Sequence, residues 1–220
     1  MLLELRSVSK RYIPEGSWII KDLSFCLEKN RGIVIQGPSG SGKTTILGMI
    51  AGILPPSEGS VLFQGKDIYS LPEKEKAAFR NLHIGYCFQS NYFHKHLSVL
   101  ENAILPLLFR GLSMAKALKK GEQSLESVDL ADLAKKSPSE LSGGQLQRLS
   151  LARAMIGCPE ILLIDEPTGN LDEKTAQNIM QLILSFHTEK NASIVLVTHD
   201  AIPEQAGFKK YLLKNGSLQD

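Results

Sequence analysis

Apolar residues along this chain alternate in short runs at first and later fall into helical spacing, so the period itself divides the sequence. Leu2–Val8 alternates as a strand with one buried face, Trp18–Leu27 is mixed, and Gly32–Ile35 is a compact apolar run between turn formers. A glycine-rich loop follows, then Thr44–Leu54, apolar nearly all round like a helix buried inside a layered domain. From about Leu97 to Lys136 helix formers dominate, and apolar positions recur at Leu112, Ala115, Leu118, Leu125 and Val128. That spacing predicts a helical subdomain over about residues 90–140 of a single domain spanning 1–220. After Pro138 the pattern predicts a helix at Gly143–Ile156, a strand at Ile161–Ile164, a helix near Glu173–Phe186, and strands at Ile194–Val197 and Lys210–Leu213. Unbroken apolar strands separated by helices indicate an α/β fold with a mixed, largely parallel sheet covered on both faces, preceded by N-terminal antiparallel strands.

Composition narrows the picture. With 220 residues, 43% of them hydrophobic, the chain can bury a substantial core without covalent staples. Lys and Arg number 25 against 23 Asp and Glu, and no run of like charges occurs, so nucleic acid is not an expected partner. Cys26, Cys87 and Cys158 lie far apart without metal-ligand spacing and are expected to be reduced, buried, structural thiols. The N-terminus lacks an apolar signal core, and Ile46–Leu54 is too short to span a bilayer. With only a short stretch beyond the last expected strand, no appended regulatory domain is expected.

Gly37–Thr44, GPSGSGKT, fills every fixed position of a P-loop and sits between an expected strand and an expected helix. In that setting the loop Gly37, Pro38, Ser39, Gly40, Ser41 and Gly42 binds phosphate, its glycines letting consecutive backbone N–H groups turn inward to cradle the anion. Lys43 reaches the β and γ phosphates, Thr44 ligates Mg²⁺, and Thr45 completes the nucleotide-binding set at the start of the helix whose positive end faces the anion. Ile161–Pro167, ILLIDEP, puts two carboxylates at the carboxyl end of a buried strand, where open parallel sheets bind ligands. Asp165 suits Mg²⁺ and Glu166 suits a general base. An isolated acidic pair would more simply be solvated loop or cap residues; the P-loop in the same chain reverses that balance.

Leu141–Gln145 reads LSGGQ, and Ser142 with Gln145 has the spacing of a capping box for the helix that follows. Gly143 and Gly144 beside that serine also form a second phosphate-binding surface, one the local P-loop nucleotide need not use.

With these motifs the sequence resembles the ABC ATPase family, from about Tyr12 to His199. The resemblance also rests on Gln89 after the strand-like Ile84–Phe88, GNLD at Gly169–Asp172 and VTHD at Val197–Asp200. It implies that Gln89 contacts Mg²⁺ and the attacking water, that His199 contacts the γ-phosphate, and that Asp172 connects opposed sites across a dimer. It further implies that ATP is sandwiched between the P-loop of one subunit and the LSGGQ of another in a homodimer. Tyr12 resembles the aromatic on which adenine stacks, although by itself it reads equally as a surface strand residue. Likewise His199 alone reads as a strand-end histidine, and Asp172 alone as an N-cap for the helix at Glu173.

Phe79–Gln89, Leu100–Leu107 and Pro138–Gly144 resemble the branch holding lipoprotein-releasing, macrolide-exporting and cell-division ATPases, and together look most like the lipoprotein-releasing type. That likeness implies a peripheral protein on the cytoplasmic face of the bacterial inner membrane. Integral membrane permease subunits would dock near Gln89–Phe109, with lipoprotein cargo handled indirectly through them. The chain departs from the branch at Ser90–His96, where Tyr92 and Phe93 are either docking aromatics or core residues of the helical subdomain. The alternative classes are a macrolide or peptide exporter, the division complex, a soluble ABC ATPase and a P-loop kinase. A kinase leaves LSGGQ and His199 unexplained.

Overall fold

The structure, a computed structural model, describes residues 1–90, 92–169, 171–199 and 207–219. In chain order these form β1 (Leu3–Lys10), β2 (Ile20–Leu27), β3 (Gly32–Gln36), α1 (Lys43–Ile50), β4 (Glu58–Phe63), β5 (Lys66–Asp67), α2 (Glu73–His83) and β6 (Ile84–Cys87). There follow α3 (Val99–Phe109), α4 (Met114–Glu126), α5 (Gly143–Met155), β7 (Ile161–Asp165), α6 (Glu173–Lys190), β8 (Ser193–Thr198), β9 (Lys209–Lys214) and β10 (Ser217–Gln219). The expected α/β class holds. Periodicity alone had not located β4, β5, β10 or α2, and it extended α1 four residues too far. Asn170 of the GNLD segment, Asp200 of the VTHD segment and Asn91 lie outside the described residues.

The chain divides into two compact units, the first comprising Met1–Arg80, Leu163–Glu166 and Ser193–Asp220. Its N-terminal sheet has the order β2-β1-β4-β5, and every pairing is antiparallel. Its second sheet runs β10-β9-β3-β8-β7, with β3 parallel to both β8 and β9, while β10 turns back antiparallel to β9. Residues Ile33–Ile35 and Ile194–Val197 are almost wholly buried, as unbroken apolar strands between covered faces must be. β3 therefore occupies an interior position, and the P-loop leaves from its carboxyl end.

The second unit comprises Asn81–Leu162 and Pro167–Ala192. β6 lies next to β7, whose first residues, Ile161 and Leu162, belong to this unit. The buried stripe of α4 is Ala117, Gly121 and Leu125, whereas Ala115 is exposed, a correction of the expected apolar face. The reason is close helix packing: a Cβ at Gly121 would fall 2.4 Å from Ile104 and 2.6 Å from Leu100 on α3, so the glycine sets the facing stripe. Ile104, Leu107, Ala117 and Ile156 form the core there.

Three capping boxes start segments of this unit, at Ser98 with Glu101, Ser137 with Glu140, and Ser142 with Gln145. Asn102, wholly buried, accepts from His94 N–H at 2.8 Å and donates to the carbonyls of His94, Leu97 and Ser98, pinning the turn before α3.

Of the three thiols only Cys87 is buried; Cys26 and Cys158 are exposed. Cys26 takes an outward position in the alternation of β2, and Cys158 sits at φ 47° in the loop after α5, which corrects the expectation of three core cysteines.

Candidate functional site

The loop from Gly37 to Gly42 is shaped by β3 before it and α1 after it. Gly37 leaves no room for a side chain, since a Cβ there would meet the Leu213 carbonyl at 2.7 Å. Gly42 has φ 102°, a left-handed conformation that L side chains rarely adopt, and it caps α1 without contributing a side-chain bond. The first-turn amides of α1 thus point outward at the positive end of the helix, uncapped by a side chain, which is the arrangement that binds anions.

Lys43 folds back over this loop. Its Nζ donates to the carbonyls of Gly37 at 2.8 Å and Pro38 at 3.1 Å and pairs with Glu166 Oε1 at 3.1 Å. An ammonium has three protons, and these three partners use them all. Both side chains are nearly buried, at 6% and 10% exposure, so the pair acts in a weakly screened setting.

Glu166 follows the last residue of β7 at φ 47°, a region that costs a non-glycine residue about 1–2 kcal/mol. Its N–H donates to the Val197 carbonyl at 2.9 Å, and its Oε2 accepts from the His199 N–H at 3.2 Å and meets His199 Nδ1 at 2.7 Å. The carboxylate is therefore held between a lysine on one oxygen and a histidine on the other.

Asp165, 1% exposed, accepts a hydrogen bond from the Thr44 hydroxyl, yet its Oδ1 has no hydrogen-bond partner. Burial pushes its carboxyl above the usual range, the Thr44 bond opposes that, Glu166 adds to it, and Lys43 lowers it. A buried, half-satisfied carboxylate beside a hydroxyl is a donor set suited to a hard cation. Ser41 Oγ in the same loop is likewise buried without a partner.

Tyr12, 59% exposed, exchanges a 3.1 Å hydroxyl bond with Thr45, and the Lys10 ammonium lies 5.6 Å from its ring centre. Arg11 stacks over Trp18 at 4.6 Å. The first unit thus brings together Lys43, Thr44, Asp165, Glu166 and His199, with Tyr12 tied to α1.

The remaining candidates lie in the second unit. Gln89 is exposed two residues beyond β6. Ser142 accepts from Gln145 N–H at 3.4 Å while Gln145 Oε1 accepts from Ser142 N–H at 2.9 Å, and Gly143 and Gly144 open α5. Asp172 caps α6, accepting from Thr175 N–H at 3.0 Å and Thr175 Oγ1 at 2.6 Å, which holds its carboxyl below the usual range. Tyr92 is 73% exposed, so it is no core residue of this unit; Phe93 is half-buried beneath the Arg153 guanidinium at 4.5 Å.

Two features escaped the sequence reading. The triple engagement of Lys43 depends on β7 ending beside the P-loop, which no local pattern encodes. Arg110 and Arg153 belong to no motif, although an arginine closing the apolar run Ile104–Phe109 and another amid the apolar Leu149–Met155 were available signals.

The ABC transporter family model matches residues 20–169. The lipoprotein-releasing system ATP-binding protein LolD of Syntrophus aciditrophicus is 39% identical over 201 residues, 90% of each chain. The ABC transporter ATP-binding protein YtrE of Bacillus subtilis is 39% identical over 201 residues, 91% of this chain and 87% of that one. Among solved structures, the dimeric MJ0796 bacterial ABC transporter cassette matches with a TM-score of 0.91 at 34% identity, over 100% of this chain and 97% of that one. A dimeric post-hydrolysis state of the same cassette, bound to ADP and Pi, matches with a TM-score of 0.91 at 33% identity and the same coverage.

Proposed function

Because the chain belongs to the ABC transporter family, as an ATP-binding subunit that hydrolyses ATP, we propose that it drives release of lipoproteins from the bacterial inner membrane. The observation that carries the ATPase chemistry is the cluster of Lys43, Thr44, Asp165, Glu166 and His199 around one phosphate-binding loop. The cargo reading is supported by relatives named for lipoprotein release that align along 90–99% of this chain.

The nucleotide enters with adenine against Tyr12 and its phosphates on the loop of residues 37–44, whose backbone N–H groups other than at Pro38 face the anion. The γ-phosphate competes for Lys43, drawing the ammonium away from the Gly37 and Pro38 carbonyls and from Glu166. Glu166, relieved of that cation, accepts a proton from the water that attacks the γ-phosphorus. The bond to the β–γ bridging oxygen breaks, and ADP leaves with the electron pair. His199 changes partner from Glu166 to the γ-phosphate oxygen. Thr44 and Asp165 would hold Mg²⁺, which when bound neutralises phosphate charge, and the unpartnered Oδ1 of Asp165 fits that part.

The working form is a homodimer in which Ser142, Gly143, Gly144 and Gln145 of one subunit face the nucleotide on the P-loop of the other, with Asp172 near the junction. The chain sits on the cytoplasmic face of the membrane; among the described residues no helix is long and apolar enough to cross it. Membrane subunits dock near Gln89–Phe109.

Purification of the tagged chain from mildly solubilised native membranes, followed by mass spectrometry, tests this reading. Recovery of a polytopic subunit together with lipidated proteins is expected. A polytopic subunit with a drug-exporter or division partner and no lipoproteins would replace the cargo, and no membrane protein at all would return the chain to the soluble class.

A further inference from the structure

Two helices of the second unit begin in sequence motifs and end at one cavity. α5 starts at the Ser142–Gln145 capping box and α6 at the Asp172 cap. Their far ends line a cavity of about 280 Å³, α5 through Met155 and Ile156, α6 through Phe186 and Lys190. Lys120 on α4 and Cys158 in the loop after α5 also line it, and all these residues belong to the second unit.

The chemistry of the cavity is one-sided. Met155 and Ile156 are buried and Phe186 half-buried, Lys120 and Lys190 are exposed, and no lining residue is acidic. Neither ammonium has an ion-pair partner among the described residues. Helix C-termini attract cations, but carbonyls at the ends of α4 and α5 are already hydrogen-bonded. On α4, Gln123 and Leu125 accept from the Ser127 N–H, Ser124 accepts from the Ser127 hydroxyl and Glu126 from the Asp129 N–H. On α5, Met155 accepts from the Cys158 N–H, and Ala152 accepts from the Ile156 N–H and the Ser124 hydroxyl. Both serine hydroxyls are thereby used as donors, so the strong donors left to the cavity are the two ammoniums and the Gln123 amide.

We propose that this cavity is an effector site for a small amphiphilic carboxylate, and that its occupancy is coupled to assembly of the ATP-bound dimer. The apolar body covers Met155, Ile156 and Phe186, and the carboxylate takes its hydrogen bonds from Lys120 and Lys190. That body also displaces solvent that would otherwise screen the charges. The coupling rests on the dimer reading of the LSGGQ segment. A ligand held between the far ends of α5 and α6 fixes their spacing, and the rigid helices carry that constraint to Ser142–Gln145 and Asp172. Because it fits the arrangement described here, the ligand opposes any change of spacing that assembly requires.

The full chain with octanoate as probe tests the site. Alkylation of Cys158 by iodoacetamide, read by peptide mass spectrometry, is expected to stop in saturating octanoate, while the exposed Cys26 on β2 reacts at an unchanged rate. Octylammonium and 1-octanol carry the same body without the anion and should leave Cys158 reactive. Lys120→Gln with Lys190→Gln is expected to raise the octanoate concentration for half-protection about tenfold, and Lys120→Arg with Lys190→Arg to restore it. Both lysines are exposed, so the fold tolerates either pair. Coupling is read by light scattering: octanoate should raise about fivefold the ATP concentration at which Glu166→Gln doubles in mass, and ATP should weaken octanoate binding by the same factor. Absence of protection, equal protection by 1-octanol, or protection unchanged in the double Gln variant overturns the carboxylate site. Protection without a rise in the ATP requirement overturns the coupling. If Glu166→Gln never doubles with ATP, the dimer reading and the coupling fail together, while the Cys158 measurement still decides the site.

Discussion

At the scale of single residues, one carboxylate carries two loads. Glu166 pairs with Lys43 at 3.1 Å and is the proposed proton acceptor during turnover, so Glu166→Gln separates the two roles. The substitution is expected to lower turnover by about 10²- to 10⁴-fold, as loss of a general base does. It should also tighten ATP binding several-fold by titration calorimetry, because Lys43 no longer has a competing anion; unchanged or weaker affinity would contradict the competition. Asp165 supplies the pH dependence. Its folded pKa lies above the unfolded value of 3.8, so its contribution is most favourable below that value and is lost as pH rises through the raised folded pKa. Asp165→Asn is therefore expected to raise the melting temperature of the nucleotide-free protein near neutral pH by a few degrees, with the gain vanishing below pH 3.8. In this size range each kcal/mol moves Tm by about 2–4 °C. The same variant should lose the extra stabilisation that Mg²⁺ adds to bound ATP, measured against ATP with chelator. The identities of Asp165, Glu166 and Lys43 were legible because their motifs are local; the clamp on Glu166 was not, because it joins residues far apart in sequence.

At the scale of elements, the second unit depends on where its helices begin. The Ser142–Gln145 capping box was legible in the sequence, and the same Ser-x-x-Glu signature was present at Ser98 and Ser137, where it marks further segment starts. The turn before α3 is held by Asn102, whose four hydrogen bonds cross residues 94–98. Asn102→Ala should leave the His94 N–H and the Leu97 carbonyl without those partners inside the unit, while backbone bonds still reach the His94 and Ser98 carbonyls, and cost about 3 kcal/mol, read from the urea midpoint at constant m-value. A loss below about 1 kcal/mol would mean that the turn is held by other contacts. The buried stripe of α4 was misplaced by periodicity because a glycine counts as neutral there. In the fold Gly121 is the point of closest helix approach.

At the scale of the whole molecule, alternating apolar strands and helices were enough to indicate the α/β class, whereas the order of the strands was not legible, since hydrogen-bond partners leave no periodic trace. The proposed dimer makes a prediction at this scale. Glu166→Gln with ATP should double in mass by light scattering and return to the monomer on chelation. Adding Gly143→Asp should abolish the doubling: a Cβ there meets nothing within 4 Å, so the variant folds, but its charge repels the partner's nucleotide. Persistence of the doubled species would remove the LSGGQ segment from the interface. The interior position of β3, between β8 and β9, also has a temporal consequence. Amides with parallel neighbours on both sides exchange with solvent only in the largest openings of a protein, while edges and loops exchange in small ones. The phosphate cradle hangs from that slow-exchanging strand, so fraying at the sheet margin leaves its geometry intact, and its lifetime approaches that of the first unit's folded core.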